Sequence, residues 1–201
     1  MKRLVLLLSV SAFSLVLTSC VHKKEVKVPQ EKVEEIKAIG QKATKELMME
    51  LKSNLVKSIN REGMVGAISF CADKAEEITK EFNNKLINVK VSRVSEKYRN
   101  PENKPDEIDK KVLKYFEEKL REGKLPPYYI TAVKENGKVS YIFYKPLRVN
   151  QFCLNCHGSV NKMKPEIVKV IREKYPEDRA INYKPGDLRG AVKVVIPADE
   201  L

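Results

Sequence analysis

Cys153-Leu154-Asn155-Cys156-His157 is the stretch of this 201-residue chain whose residue types and spacing prescribe a reaction. In C-x-x-C-H two thiols one helical turn apart add across the two vinyl groups of a porphyrin, and the neighbouring imidazole then lies under the iron as its proximal ligand. The expected product is one covalent haem c on Cys153 and Cys156, with His157 on the metal. Chance would produce the pattern on the order of once in a thousand chains of this length, so coincidence is a weak rival. Two other chemistries compete. A thioredoxin-like C-x-x-C would open a helix after a buried strand, whereas here the motif lies between Asn150-Gln151 and Gly158-Ser159. Zinc could recruit Cys71 to complete three thiolates and one imidazole, although ligands at both Cys156 and His157 would be cramped.

A haem with one proximal histidine is either five-coordinate or takes a sixth ligand, and the inventory for that ligand is short. The chain has two histidines, and the other, His22, lies near the N-terminus. Met48, Met49, Met64 and Met163 have suitable sulfur atoms, but helix methionines are more often core filler. Cys71 stands out by elimination. Taken on its own it reads equally well as a small buried hydrophobe on a helix stripe. As a ligand it would bind as thiolate, push electron density onto the iron and favour the ferric state. No acid/base pair flanks the motif, so a haem enzyme is the least expected outcome.

Haem is joined to such motifs outside the cytoplasm by the cytochrome c maturation system, and the N-terminus predicts export. Lys2 and Arg3 precede an apolar run from Leu4 to Leu17, shorter than the roughly 20 residues of a spanning helix. Leu17-Thr18-Ser19-Cys20 is similar to a bacterial lipobox, which makes Cys20 the expected lipidation site. The organisation that follows is a signal peptide over residues 1–19, a lipidated tether over 20–31 and one haem domain over 32–201, held on the outer side of a bacterial membrane. With Cys20, Cys153 and Cys156 assigned, Cys71 is the one thiol left over, and no disulfide is expected within the chain. The net charge of +12 suits anionic headgroups or acidic partners, although interspersed Lys and Glu also serve solubility. Nucleic acid is not an expected partner.

The elements that must position these residues read as α+β. Apolar residues from Val33 to Ile59 recur every three or four positions, which predicts a long helix over about 30–60. Gly63 interrupts it, and a second helix over about 65–83 carries Cys71 on its inner stripe with Ile68, Ala75, Ile78 and Phe82. Period two at Ile87, Val89 and Val91 predicts a strand up to about Ser95. Asp106 starts a helix that Gly123 closes. Tyr128 to Lys134 and Lys138 to Pro146 flank Asn136-Gly137, a hairpin signal. A helix over Pro165 to Tyr175 and a strand near Ala191 to Ile196 complete the chain. The haem motif therefore hangs on a loop that leaves an antiparallel sheet.

Four segments also carry a resemblance: Phe70 to Ala75, Val91 to Asp106 with its Arg99-Asn100-Pro101, Tyr144 to Gly158, and Tyr183 to Val192. Together they resemble an extracytoplasmic c-type haem domain with a PAS-like fold, long catalogued as a domain of unknown function. It occurs alone and as the sensory part of bacterial signalling receptors. The likeness runs from about Lys32 to Pro197. In a single-domain member of that family the haem is held by the histidine of C-x-x-C-H and by a cysteine thiolate, which implies His157 and Cys71 here. Arg93, Arg99 and Asn100 sit where the family keeps a polar motif. The arginine forks suit haem propionates; equally, the segment reads as a fold-specifying loop with turn bonds from Asn100 and Asn103 and solvated arginines. The resemblance implies a redox or gas (NO/CO) sensor working with a redox or signalling protein partner, with a monohaem electron-transfer cytochrome as the alternative.

Overall fold

The structure is a computed structural model, and it describes residues 23–201. The expected signal peptide, Cys20 and His22 lie outside the described residues. No helix among those described is long and apolar enough to cross a membrane.

Five strands form one antiparallel sheet in the order β1-β3-β4-β5-β2: β1 (Lys24–Val26), β2 (Lys90–Val94), β3 (Tyr129–Glu135), β4 (Lys138–Arg148) and β5 (Leu188–Pro197). Side chains alternate between its faces. Tyr141 and Phe143, with Val192 and Val194, pack against α1 (Val33–Lys85). Ile142 and Tyr144, with Ala191, pack against α2 (Glu107–Arg121). The α+β expectation therefore holds, with the sheet between two helical layers.

The two expected N-terminal helices are the two halves of α1. Gly63 adopts φ 68° and ψ −169°, a backbone state closed to most side chains, and the helix breaks there. The second half doubles back, since Lys85 comes within 3.9 Å of Glu50 and Phe82 joins Ile36, Ala43 and Leu47 in one cluster. Where the first half crosses the sheet, a Cβ on Gly40 would stand 2.2 Å from the Phe143 ring. Replacing Gly40 by Ala should gain up to about 1 kcal/mol of helix propensity. Overpacking costs about 1–3 kcal/mol, occasionally more, and should win. Urea denaturation of Gly40→Ala is therefore expected to show a lower midpoint; a raised midpoint would contradict the packing argument.

α2 begins with a reciprocal cap: Asp106 accepts from the Asp109 N–H at 2.9 Å, and Asp109 accepts from the Asp106 N–H at 3.0 Å. The β3–β4 hairpin turns through Asn136 and Gly137, both at positive φ as a type I′ hairpin turn requires.

Two expectations need correction. β2 starts at Lys90 rather than Ile87, because Asn88 takes φ 57° and Ile87 is left 81% exposed, which ends the alternation early. The stretch over 20–31 is not wholly a free tether. Lys24, Glu25 and Val26 pair with Lys134, Val133 and Ala132, and Val26 and Val28 pack against the core. The exposed edge of β3 recruits them, so the folded domain begins before residue 32.

Candidate functional site

β4 delivers the chain into the turn that holds the C-x-x-C-H motif. Asn150 opens it by accepting the Cys153 N–H on its side-chain oxygen at 3.1 Å. The short helix α3 (Leu154–His157) follows, with the His157 N–H donating to the Cys153 carbonyl at 2.9 Å. Residues three and four apart share a helix face, so Cys153, Cys156 and His157 point to one side. Gly158 ends the turn where a Cβ would lie 2.6 Å from the Leu154 carbonyl oxygen.

The segment from Asp178 to Tyr183 straps this turn down. The Tyr183 N–H donates to the His157 carbonyl at 3.0 Å and the Asn182 N–H to the Gly158 carbonyl at 2.8 Å. His157 Nδ1 lies 2.8 Å from the Ala180 carbonyl oxygen. A carbonyl only accepts, so Nδ1 carries the proton and Nε2 keeps a free lone pair, as a metal-binding imidazole requires. Burial, helped by the charges of Arg189 and Arg99, drives the His157 pKa well below its ordinary value against the opposing Ala180 bond. The imidazole is therefore neutral at pH 7.

Arg99 fixes the same turn from the other side. Its Nε and one Nη reach the two Asp178 oxygens, each at 3.1 Å, and that Nη also donates to the Cys156 carbonyl at 2.6 Å and the Ala180 carbonyl at 3.3 Å. The pair is buried, with 11% of the Arg99 and 7% of the Asp178 side chain exposed. Arg99 thus acts as a clamp on the motif rather than as a solvated loop residue. Removing one partner of such a pair leaves a buried charge without compensation, which costs about 3–5 kcal/mol. Arg99→Leu should lower the denaturation midpoint of the folded chain accordingly, while Arg99→Lys should recover only part of it, because an ammonium lacks the fork. Equal stability of Arg99→Leu and wild type would refute the clamp.

One cavity collects the remaining candidates. Cys71 from the second half of α1, Cys153, Cys156 and His157 all line it, together with Arg93, Arg99 and Asn100. Met64 and Ile68 from α1 give it an apolar wall. Burial pushes the Cys71 thiol up, while Arg93 and Arg99 pull it down. Arg93 approaches Glu76 at 3.6 Å and Thr79 Oγ1 at 3.5 Å, but its Nε is buried without a partner among the described residues. Asn100 accepts the Glu102 N–H at 3.0 Å and so makes the expected turn bond.

A family model described as Tll0287-like matches residues 22–197, nearly the whole chain. The chain belongs to the Tll0287-like family. The crystal structure of the cyanobacterial haem protein Tll0287 aligns with a TM-score of 0.56, covering 85% of this chain and 98% of that one. At 23% identity this likeness shows a common fold. A comparison with curated proteins finds no match.

The cavity of this Tll0287-like chain fits a haem on three counts. Two thiols and a neutral imidazole share one face of the attachment turn, a further thiol from α1 lines the same space, and Arg93 presents a buried donor with no acceptor among the described residues. An acidic group such as a propionate would satisfy that donor. The zinc alternative fares worse, since no three His, Cys, Asp or Glu side chains converge as metal ligands among the described residues.

Sequence reasoning missed several contributors to the Tll0287-like site. Tyr175 lines the cavity, its phenol pushed up to about 12 by burial and then by Cys71. Arg189 lines it too, donating to Ser95 Oγ at 2.8 Å and the Lys97 carbonyl at 3.1 Å. Tyr183 stands edge-on to His157 at 6.3 Å, with Lys97 Nζ 4.2 Å from its ring centroid. Tyr183 and Arg189 fall in one of the segments that carry the family resemblance, and that was their signal. Asp178 and Ala180 had none, because one acts through a distant partner and the other through its carbonyl.

Proposed function

We propose that the chain is a lipid-anchored, extracytoplasmic haem protein that carries one haem c and serves as a redox or gas sensor, not as an enzyme. Cys153 and Cys156 form the thioethers, His157 is the proximal ligand and Cys71 the distal one, on a PAS-like scaffold. The observation that carries this reading is the convergence of Cys71 and the C-x-x-C-H motif on a single cavity. Membership of the Tll0287-like family and the haem-protein neighbour support the cofactor; the lipobox-like Leu17 to Cys20 supports the anchor and the location.

Bound there, a haem supplies a redox-active iron with an affinity for diatomic gases. The chain's own residues set its behaviour. Ala180 holds the His157 proton on Nδ1, Arg99 and Asp178 fix the attachment turn, and Arg93 offers its unpaired Nε to an acidic group of the cofactor. Cys71, as an anionic ligand, would favour the oxidised metal and would hold the reduced metal less firmly, which would link oxidation state to an open coordination position. A signal would then pass to a protein partner.

Monohaem electron transfer is the competing reading. The observation in its favour is Phe152, which lines the cavity beside Cys153 and is 53% exposed, as an apolar contact for a redox partner would be. A redox titration followed by absorption spectra, repeated under CO and NO, separates the two. A sensor changes ligand on reduction and binds gas with loss of the thiolate signature. A carrier keeps its ligands, ignores both gases and exchanges electrons rapidly with a soluble cytochrome.

A further inference from the structure

The attachment helix has a second face, and it looks into a second cavity. Cys153, Cys156 and His157 line the first; Leu154, Asn155 and Gly158, on the opposite side of the same turn, line another of ≈ 790 Å³. That volume lies within the range of small-molecule sites, about 300–1,000 Å³. The cavity has an apolar floor, where Met163, Ile167 and Tyr183 are 9%, 3% and 7% exposed and Met64 and Leu154 add to the wall. Its rim is cationic. Lys162, Lys164 and Lys184 are exposed there, and among the described residues no Asp or Glu lines the cavity to neutralise them. Nearby lysines are paired elsewhere, Lys169 with Glu173 and Lys174 with Asp73, whereas the three rim lysines make no ion pair among the described residues.

An apolar floor under converging positive charge is complementary to a molecule with an acidic group on an apolar body. A neutral hydrophobe would leave the lysines uncompensated, and a bare inorganic anion would leave the floor wet. The backbone holds the shape: Asn182, which lines the cavity at φ 60°, donates its N–H to Gly158. We propose that this cavity is a second ligand site, for a small organic anion with an apolar ring or chain. The two cavities share Met64, but no residue the proposal uses is placed on the iron or in a thioether, so failure of the haem reading would not remove this site.

Calorimetric titration of the haem-loaded chain with 2-naphthalenesulfonate tests it, with dihexanoyl phosphatidylglycerol below its micelle concentration as a second probe. Saturable one-to-one binding is expected. The Lys162→Glu/Lys164→Glu/Lys184→Glu variant should bind at least tenfold more weakly, Lys169→Glu should bind as wild type, and neutral 2-naphthol should bind at least tenfold more weakly to wild type. Tighter binding of the phospholipid identifies a membrane lipid as the source of the anion, and tighter binding of the sulfonate a soluble one. Because the three lysines are exposed and make no ion pair among the described residues, the triple variant is expected to melt as wild type does. Absence of saturable heat with both probes in wild type, or equal affinity in the triple variant, overturns the site.

Discussion

Haem will leave the Cys153→Ser/Cys156→Ser chain when it is unfolded in hot detergent and will stay with wild type. A thioether is a covalent bond that survives loss of the fold, whereas the proposed iron–ligand bonds to His157 and Cys71 would depend on the geometry that holds α1 against the attachment turn. The double variant keeps both proposed axial ligands, so the folded protein can still hold haem, and only denaturation separates the two cases. Peroxidase staining of a denaturing gel reads the result directly: a stained band for wild type and none for the variant, after expression of both chains with a cytochrome c maturation system. The pyridine haemochrome sharpens it, because each vinyl group converted to a thioether shifts the band, and single variants should fall between the two. Haem retained by the denatured double variant would disprove attachment at the motif. The outcome reports on attachment alone and leaves the distal ligand open.

The second large effect is expected at Cys71. Cys71→Ala should abolish the low-spin thiolate spectrum of the ferric protein and raise the reduction potential by more than about 59 mV, a tenfold change in a one-electron equilibrium. The direction follows from charge: a thiolate stabilises the oxidised metal more than the reduced one, so its loss favours reduction. Burial holds the free Cys71 thiol above its ordinary pKa despite the opposing pull of Arg93 and Arg99, so a thiolate here would depend on the charge of a bound metal. Stability is a poor readout for this residue, because a partly buried thiol contributes packing like any small side chain. The spectrum is a sound one. Cys71→Ser guards against a cavity effect by keeping the volume while offering a far weaker ligand. A ferric spectrum unchanged in both variants would remove Cys71 from the iron and leave the packing role.

How much of this could be read before folding differed between elements for physical reasons. The β3–β4 hairpin was legible because Asn136-Gly137 is local turn chemistry, and α2 because its cap and apolar stripe lie within one segment. The break at Gly63 was legible as an interruption, but that the second half folds back on the first depends on distant residues, such as Phe82 and Leu47, meeting in one cluster. β1 was missed because three residues bounded by charge carry little pattern of their own and form a strand only when a sheet edge is present. At the site, residue type exposed the two motif thiols, His157 and Cys71. The Arg99–Asp178 clamp joins residues 79 positions apart, and the Ala180 contact uses a backbone oxygen. Neither leaves a mark in composition or periodicity. Arg93 and Asn100 were found through the resemblance, and their surroundings distinguish them: one holds an unpaired donor, the other a turn.

The pairing of β1 with β3 has a consequence for the chain as an anchored object. Lys23 reaches Asp106 at 3.1 Å and Lys24 is already in register with Lys134, so the fold begins almost at the proposed acylation point. With a lipid on Cys20, three residue steps of at most about 3.6 Å each separate the acyl chains from the first fixed residue, a leash of about 11 Å. A domain on so short a leash cannot sample all orientations. With the proposed anchor in place, the edge of the sheet that carries β1 would face the headgroups, and a protein partner would approach from the sides that remain.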